Sequence, residues 1–455
     1  MSVLNLLHAV ISAKKAESLT PQQIQDLQLK RFRKLLKHVF QKSRFYQRYY
    51  QEHGITQRDV DRVKPEDLPV IDKEIMMENY DDLVCDPVLK KDALERFINE
   101  SPDADSKYKN LYRVIHTSGS SGTIGLFVYG QRDWIVARAL SLRITGIHLN
   151  LLKRKKAAYF GATDGHYAAI TMVRGVPRIL YNILPLSINN SIEQICGDID
   201  RFQPEAMSGY SSAIGLLAQE QIAGHINITP QMIWCGADAL TPTIRKNVEK
   251  AFGVNPINMY AASETMSFSA ECQLYHRLHV FEDWFSVQVV DDNLKHVKPG
   301  NIGRIIITSL YNYTQPLIRY RLNDEVILSP EVCQCGWPFV VIDKIAGRQE
   351  ETLWFTRLDG TREFIHSIML IEFFVPGLEK FQFIQTNADR LTMKAVIHGE
   401  KDSIIPAIHK RMAEILSQKT LIETVHFDVE LVDSIQNDPK TGKFRLIIPY
   451  TFVNL

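Results

Sequence analysis

Apolar residues near the start of the chain recur every three or four positions. Ile24, Leu27, Phe32, Leu35, Leu36 and Val39 fall on one face at this spacing, which predicts an amphipathic helix. Thr20, Pro21 and Gln23 supply a capping box and an N-terminal proline at its start, and Gly54 is the expected stop. The opposite face carries Lys30, Arg31, Arg33, Lys34 and Lys37, which reads as a solvated surface. Ahead of it, MSVLNLLHAVISAKKAES has no basic stretch before its apolar residues and no small-residue cleavage site, so it reads as another helix rather than a signal peptide.

From about residue 110 the period changes. LYRVIHT, KKAAYFGA, MIWCGA, INMYAAS and GRIIITSL are short β-branched or apolar runs that read as strands. Between them, Asp133–Leu149, Ile192–Phe202, Ser212–Ile222 and Pro242–Phe252 read as helices. The alternation predicts an α/β fold with a substantially parallel sheet. Past IAGRQEE, near residue 345, the strands LTMKAVI, VHFDVELVD and FRLIIPY surround one amphipathic helix, IIPAIHKRMAEILS. This predicts two domains: 1–345, large, with mixed and mostly parallel sheets plus helices, and 346–455, small and α+β.

A chain of 455 residues accommodates more than one core. Its net charge of +1 gives no reason to expect nucleic acid or an anionic membrane as partner. No run reaches the roughly 18 apolar residues of a membrane span. Six cysteines at these spacings do not form a disulfide framework, so a reducing, cytoplasmic setting is expected.

The residues with chemical potential lie in five places. HTSGSSGTIG, His116–Gly125, follows a strand with small hydroxyl residues and glycines, a loop whose N–H groups and hydroxyls can wrap phosphate oxygens. It lacks the Gly-Lys-Ser/Thr of a Walker A loop. YAASE, Tyr260–Glu264, puts a carboxylate at a strand's carboxyl end, where open α/β sheets bind ligands and where it can hold Mg²⁺ beside a triphosphate. In PLIRYRLND, Asp324 ends a charged turn and can accept from two ribose hydroxyls, while Arg319 and Arg321 are candidates for phosphate or for structural ion pairs. GRQE, Gly347–Glu350, opens the small domain, and TGKFR, Thr441–Arg445, lies near its end. Separately, CQCG (Cys333, Cys335), with Cys272 and a histidine of AECQLYHRLH, offers a tetrahedral Zn²⁺ donor set.

The order of those five pieces, with FYQRYYQEHGI and DLPVIDKE before them, resembles the adenylate-forming (ANL) superfamily, and within it the phenylacetate-CoA ligase-like branch, over nearly the whole chain. The resemblance implies that Thr117, Ser118, Gly119, Ser120, Ser121, Gly122 and Thr123 hold the ATP phosphates. Gly236, Ala237 and Asp238 would line the adenine pocket, with Tyr260 and Ser263 following. Glu264 would bind Mg²⁺, and Asp324 the ribose, with Arg348 nearby. Glu350 matches the hinge about which a mobile small domain turns, and Lys443 would reach the carboxylate and α-phosphate during adenylation. Tyr159, Phe160, Gly161, Ser208, Gly209 and Tyr210 would form the acid pocket, whose aromatic walls favour a planar acid. His279 matches a histidine recurrent in the branch and is preferred over His276 as the fourth ligand of a structural Zn²⁺.

The loop departs from the family at Ser121 and at Ile124 and Gly125, and the hinge is Glu rather than Asp. The implied reaction is ATP-dependent activation of a small carboxylic acid, aromatic by this reading, as an acyl-adenylate, then transfer to the thiol of CoA. The alternative acceptor is a carrier protein's phosphopantetheine, or an amine in a biosynthetic pathway. A third reading is a non-catalytic binding protein that kept the fold; Glu264, Asp324 and Lys443 together argue against it. A homodimer is the default assembly.

Overall fold

The computed structural model describes residues 3–101, 103–117, 124–145, 154–176, 181–346, 353–366, 369–370, 373, 375–436 and 445–450. The first helix, α1, spans Val3–Ala16. The capping box forms as expected: the Thr20 hydroxyl accepts from the Gln23 N–H at 3.3 Å, and the Gln23 side chain accepts from the Thr20 N–H at 2.9 Å. Behind it α2 runs Pro21–Lys42 and buries Ile24, Phe32, Leu35, Leu36 and Val39.

The helix expected to reach Gly54 instead breaks at Ser43. That residue is extended (ψ 115°), and its hydroxyl accepts from the Tyr46 N–H at 3.3 Å, which starts α3, Arg44–Glu52. A serine that caps a new turn competes with continuation of the old one, and periodicity alone does not register this.

Three short helices follow, α4 (Lys73–Glu78), α5 (Tyr80–Leu83) and α6 (Lys91–Glu100). Strands β1 (Arg113–His116) and β2 (Leu126–Tyr129) then make an antiparallel hairpin separate from the main sheet. Next come α7 (Gln131–Thr145), β3 (Lys155–Gly161), α8 (Ala168–Arg174), β4 (Tyr181–Ser187), α9 (Ile192–Phe202), β5 (Ala206–Tyr210), α10 (Ser211–Ala223), β6 (Met232–Gly236), α11 (Pro242–Phe252) and β7 (Ile257–Ala262). Strands β8 (Met266–Glu271), β9 (Leu278–Val280), β10 (Phe285–Val290), β11 (Ile302–Ser309), β12 (Tyr320–Leu328) and β13 (Val341–Ala346) complete an eleven-stranded sheet in the order β10-β11-β12-β13-β9-β8-β7-β6-β5-β3-β4.

The expected parallel strands are gathered in one half of this sheet. β4, β3, β5, β6 and β7 are parallel neighbours. Beyond β7 each pairing is antiparallel. Helical crossovers feed the parallel half, and connections without helices feed the other, as strand direction allows.

After Ala346 the described strands belong to other sheets. β14 (Leu353–Thr356) and β15 (Arg362–Ile365) form a hairpin. β16 (Leu378–Asn387), β17 (Arg390–Ile397), β18 (His426–Leu431) and β19 (Ile447–Ile448) form a four-stranded sheet, with α12 (Lys401–Gln418) between β17 and β18. One apolar cluster centres on Phe32, Phe127, Phe268 and Phe285. A second runs from Phe160, Ile199 and Ile214 to Phe364, Phe383 and Met412. Among the described residues no helix is long and apolar enough to cross a membrane.

Charge is buried where the N-terminal helices meet the sheet. Arg143 on α7 grips Asp283 with two hydrogen bonds of 2.9 and 2.8 Å and donates to the Ala13 carbonyl at 2.6 Å. Both side chains of the pair are wholly buried. Arg31 of α2 donates to the Asp283 carbonyl and lies 3.3 Å from the centroid of the Trp284 ring. Removing one member of such a pair leaves the other charge without compensation. Arg143→Ala is expected to lower the unfolding free energy by about 3–5 kcal/mol, read as a shifted denaturant midpoint, whereas Lys37→Ala, from an exposed pair, costs about 1 kcal/mol or less.

Candidate active site

The order β4-β3-β5-β6-β7 has a topological consequence. The chain leaves β3 to one side to make β4, then crosses back to place β5 on the other side of β3. The carboxyl ends of β3 and β5 therefore flank a switch point, where open α/β sheets leave a crevice. Phe160 and Gly161 end β3; Gly209 and Tyr210 end β5, and Tyr159 pairs with Ser208 in register. These are the six residues expected to line the acid pocket. The Tyr159 and Tyr210 rings meet edge to face, 6.5 Å apart. Glycine is required at 209, because a Cβ there would stand 2.2 Å from the Phe160 carbonyl oxygen.

The β1–β2 hairpin carries the hydroxyl-rich segment between its strands. Its ends are pinned to each other: the Thr117 N–H donates to the Gly125 carbonyl at 2.9 Å, and the Gly125 N–H donates to the Thr117 hydroxyl at 2.8 Å. A Cβ at 125 would lie 2.9 Å from the Phe127 ring, so the departure from the family at Gly125 is also a packing requirement. Ser118, Gly119, Ser120, Ser121, Gly122 and Thr123 lie outside the described residues, as do Arg348, Glu350 and Lys443.

Further down the hairpin the Tyr129 hydroxyl donates to the Ser263 carbonyl at 2.7 Å. Glu264, in the turn after β7, is nearly buried at 9% exposure. Burial is the main reason the Tyr129 and Tyr320 phenols are pushed above their usual range, and the nearby Glu264 charge adds to it. The Tyr260 hydroxyl donates to Asp324 Oδ2 at 2.7 Å, which joins β7 to β12.

Asp324 was expected to end a turn but lies within β12. Arg304 faces Glu325, while Ile306 faces Arg321. Three residues of β12 thus oppose one of β11, a bulge that redirects side chains at a strand interior. The two arginines before it hold the fold. Arg319 donates to Gln288 at 3.0 Å and to the Leu68 carbonyl, and Arg321 pairs with Asp72 at 2.7 Å.

At the end of β6, Gly236 is buried, and Ala237 has a left-handed backbone (φ 68°), a strained conformation for alanine. Asp238 accepts from the Ser211 N–H at 2.5 Å and from the Ser212 N–H and hydroxyl, so it caps the positive end of α10. Burial pushes its carboxyl pKa up; the hydrogen bonds from Ser212 and Ser211 oppose that.

One neighbour was not anticipated. The His366 Nε2 lies 2.5 Å from the Ser212 hydroxyl, and its ring is 5.4 Å from that of Tyr210. Burial drives the imidazole down to about 3, helped by the Lys419 charge. It is therefore neutral, and the network assigns its Nε2–H to Ser212 and the Ser212 proton to Asp238. No spacing in the sequence marks a lone histidine whose partner lies more than 150 residues away along the chain.

The donor atoms of Cys272, His279, Cys333 and Cys335 all lie within 4.8 Å of one another. The Cys272 and Cys333 sulfurs are 3.8 Å apart, and the Cys335 sulfur is 3.4 Å from His279 Nε2. Four ligands placed tetrahedrally at Zn–S and Zn–N bond lengths would show separations of about 3.8 and 3.5 Å, so the donor set fits a closed tetrahedral ion. His279 Nδ1 is 3.1 Å from the Phe339 carbonyl, an outer bond that turns Nε2 towards the thiols. His276 instead lies 3.6 Å from Glu271 and is not in the cluster.

No family model matches the chain. Protein CapK of Staphylococcus aureus is 24% identical over 440 residues, 93% of this chain and 88% of that protein. Phenylacetate-coenzyme A ligase of Thermus thermophilus is 27% identical over 349 residues, 74% of this chain and 73% of that protein. Among solved structures, 2-hydroxyisobutyryl-CoA ligase in complex with 2-HIB-AMP and CoA in the thioesterification state overlays with a TM-score of 0.64 at 19% identity, covering 96% of this chain and 91% of that one. An open conformation of the same ligase gives 0.59 at 18% identity, over 96% and 93%. The sheet order and the elements that carry the motifs agree with these likenesses: the chain shares the fold of 2-hydroxyisobutyryl-CoA ligase and is similar in sequence to phenylacetate-coenzyme A ligases.

Proposed function

We propose that the chain is an AMP-forming acid–thiol ligase. It activates a small carboxylic acid with ATP and passes the acyl group to the thiol of CoA. The observation that carries this reading is the convergence on one sheet edge of the pinned hairpin, Glu264 and the Tyr260–Asp324 pair, next to the β3–β5 switch point.

In the first half-reaction a carboxylate oxygen attacks the α-phosphorus, and the bond to pyrophosphate breaks. Negative charge accumulates on the transferring group, so fixed donors and cations are what the site must supply. Thr117 and the hydroxyl-rich segment after it would hold the phosphates. Glu264 would hold Mg²⁺, whose charge offsets that of the triphosphate. Asp324, already oriented by Tyr260, would take the ribose hydroxyls, with Arg348 near, and Gly236–Asp238 would flank the adenine. In the second half-reaction the CoA thiol attacks the acyl carbon, loses its proton, and AMP leaves. Two chemistries at one site call for a moving part. Residues 346–455 would be that part, with Glu350 as the hinge. The rings of Tyr159 and Tyr210 favour a planar, aromatic acid. We assign the four-residue cysteine–histidine cluster to structural Zn²⁺, with no open position for catalysis.

Acid-dependent exchange of labelled pyrophosphate into ATP tests the reading. Exchange is expected with at least one member of a panel of aryl and alkyl acids; none with any of them would leave only a binding role. Offering free CoA and a phosphopantetheinylated carrier protein side by side then identifies the acceptor.

Lys443→Ala is expected to cut exchange by on the order of 10²- to 10³-fold while leaving thioester formation from supplied acyl-adenylate nearly unchanged. Equal loss in both steps would count against a rotating domain.

For the metal, elemental analysis is expected to find one zinc per chain. Cys333→Ser is expected to release it and lower the melting temperature, since metal binding to a folded site is coupled to stability.

A further inference from the structure

Two buried charges join the C-terminal segment to the parallel half of the sheet, and both reach the short turn between β4 and α9. Lys419, the residue after α12, is wholly buried; its ammonium donates to the Asn190 carbonyl at 2.9 Å. The same nitrogen lies 3.7 Å from the centroid of the Phe364 ring and 3.8 Å from Glu363 Oε1. Glu363 on β15 is also wholly buried. Its Oε2 accepts from the Ile192 N–H at 3.4 Å, at the positive end of α9, and pairs with Arg357.

Carbonyl and amide of one turn are thus read by a cation and an anion from the other part of the chain. Three residues beyond Glu363, His366 docks on Ser212 at the head of α10. The β14–β15 hairpin therefore meets the strand ends, and β19, which the TGKFR segment precedes in sequence, is paired with β16.

We propose that Lys419 and Glu363 form a releasable latch, which clasps the turn at 190–192 and holds the C-terminal segment in the orientation that serves thioester formation. The proposal rests on the ligase reading above. Apolar contact between the two parts is non-directional and tolerates sliding. A buried ammonium with one carbonyl to meet tolerates none. Its burial is expensive: desolvation lowers the Lys419 pKa to about 7, with Glu363 pulling it back up and Arg357 pushing it further down. On opening, both charges recover their hydration, so the docked and released states stay close in free energy, as a part that must move twice per turnover requires.

The test uses the full chain with Lys419→Met, and with the double change Lys419→Met plus Glu363→Gln, which leaves no lone carboxylate should the single variant fold poorly. Hydrogen exchange in peptides covering 187–195 and 353–366 is expected to accelerate by on the order of tenfold or more, the worth of one charge-assisted hydrogen bond. Peptides of β16, β17 and α12 should keep their protection. With supplied acyl-adenylate, thioester formation should fall by a similar factor, while acid-dependent pyrophosphate exchange stays at the parent level or rises.

Unchanged exchange at 187–195, or equal loosening of the whole C-terminal sheet, overturns the latch and makes Lys419 a core residue. So does an equal fall in both half-reactions. If the parent protein catalyses neither step, the ligase reading falls by itself, and hydrogen exchange still decides whether the clasp exists.

Discussion

β3 and β5 approach so closely at Gly209 that no side chain fits between that residue and the Phe160 carbonyl, and the chain departs from these two strands in opposite directions. Much of the site follows from that pair of facts. Divergence of the connections is what leaves a crevice in open α/β sheets, and the Tyr159 and Tyr210 rings meet edge to face at these strand ends. The helices that leave the strands then present their positive ends along the same edge. α10 is capped by Asp238, while α9 receives Glu363 from the far end of the chain. One topological decision thus arranges the proposed acid site, a polar rim and a docking place for the C-terminal segment.

How far the sequence reveals this depends on the range of the interaction. The Thr20–Gln23 box, α9 and α11 are written in local signals and can be read to the residue. The place of Glu264 just past β7 follows from a similar signal, whereas only the resemblance points to Gly209. Longer-range facts are only partly visible. The break at Ser43 needs a cap that competes with a good apolar period. The antiparallel half of the sheet needs the turn geometry of residues 266–346, where strand signals say nothing of direction. Asp324 reads as a turn residue because a bulge and a turn look alike in composition. His366 and Lys419 gain their partners only when segments more than 150 residues apart meet, and nothing in EFIHSI or SQKTL announces that.

Two buried ionic groups in this molecule have opposite characters. Arg143 and Asp283 lie within one packed unit, where α1, α2 and α7 converge, and they satisfy each other twice over. Lys419 and Glu363 sit together at a seam, where Lys419 donates to the Asn190 carbonyl of the other side and Glu363 accepts a longer bond from its Ile192 N–H. Charge inside a unit fixes how its helices are set. Charge shared across a boundary fixes which of several orientations is chosen, without gluing the boundary shut.

The hairpin of β1 and β2 bears on how such a protein can change over time. Among the described residues it pairs with no strand of the large sheet, and the Thr117–Gly125 exchange of hydrogen bonds ties its two ends together. Lengthening a closed segment costs only a few tenths of a kcal/mol for each added residue or two. Substitutions and insertions there leave the main ladder intact, so the segment proposed to hold the phosphates is free to drift, while the strands of the large sheet are bound to a single register.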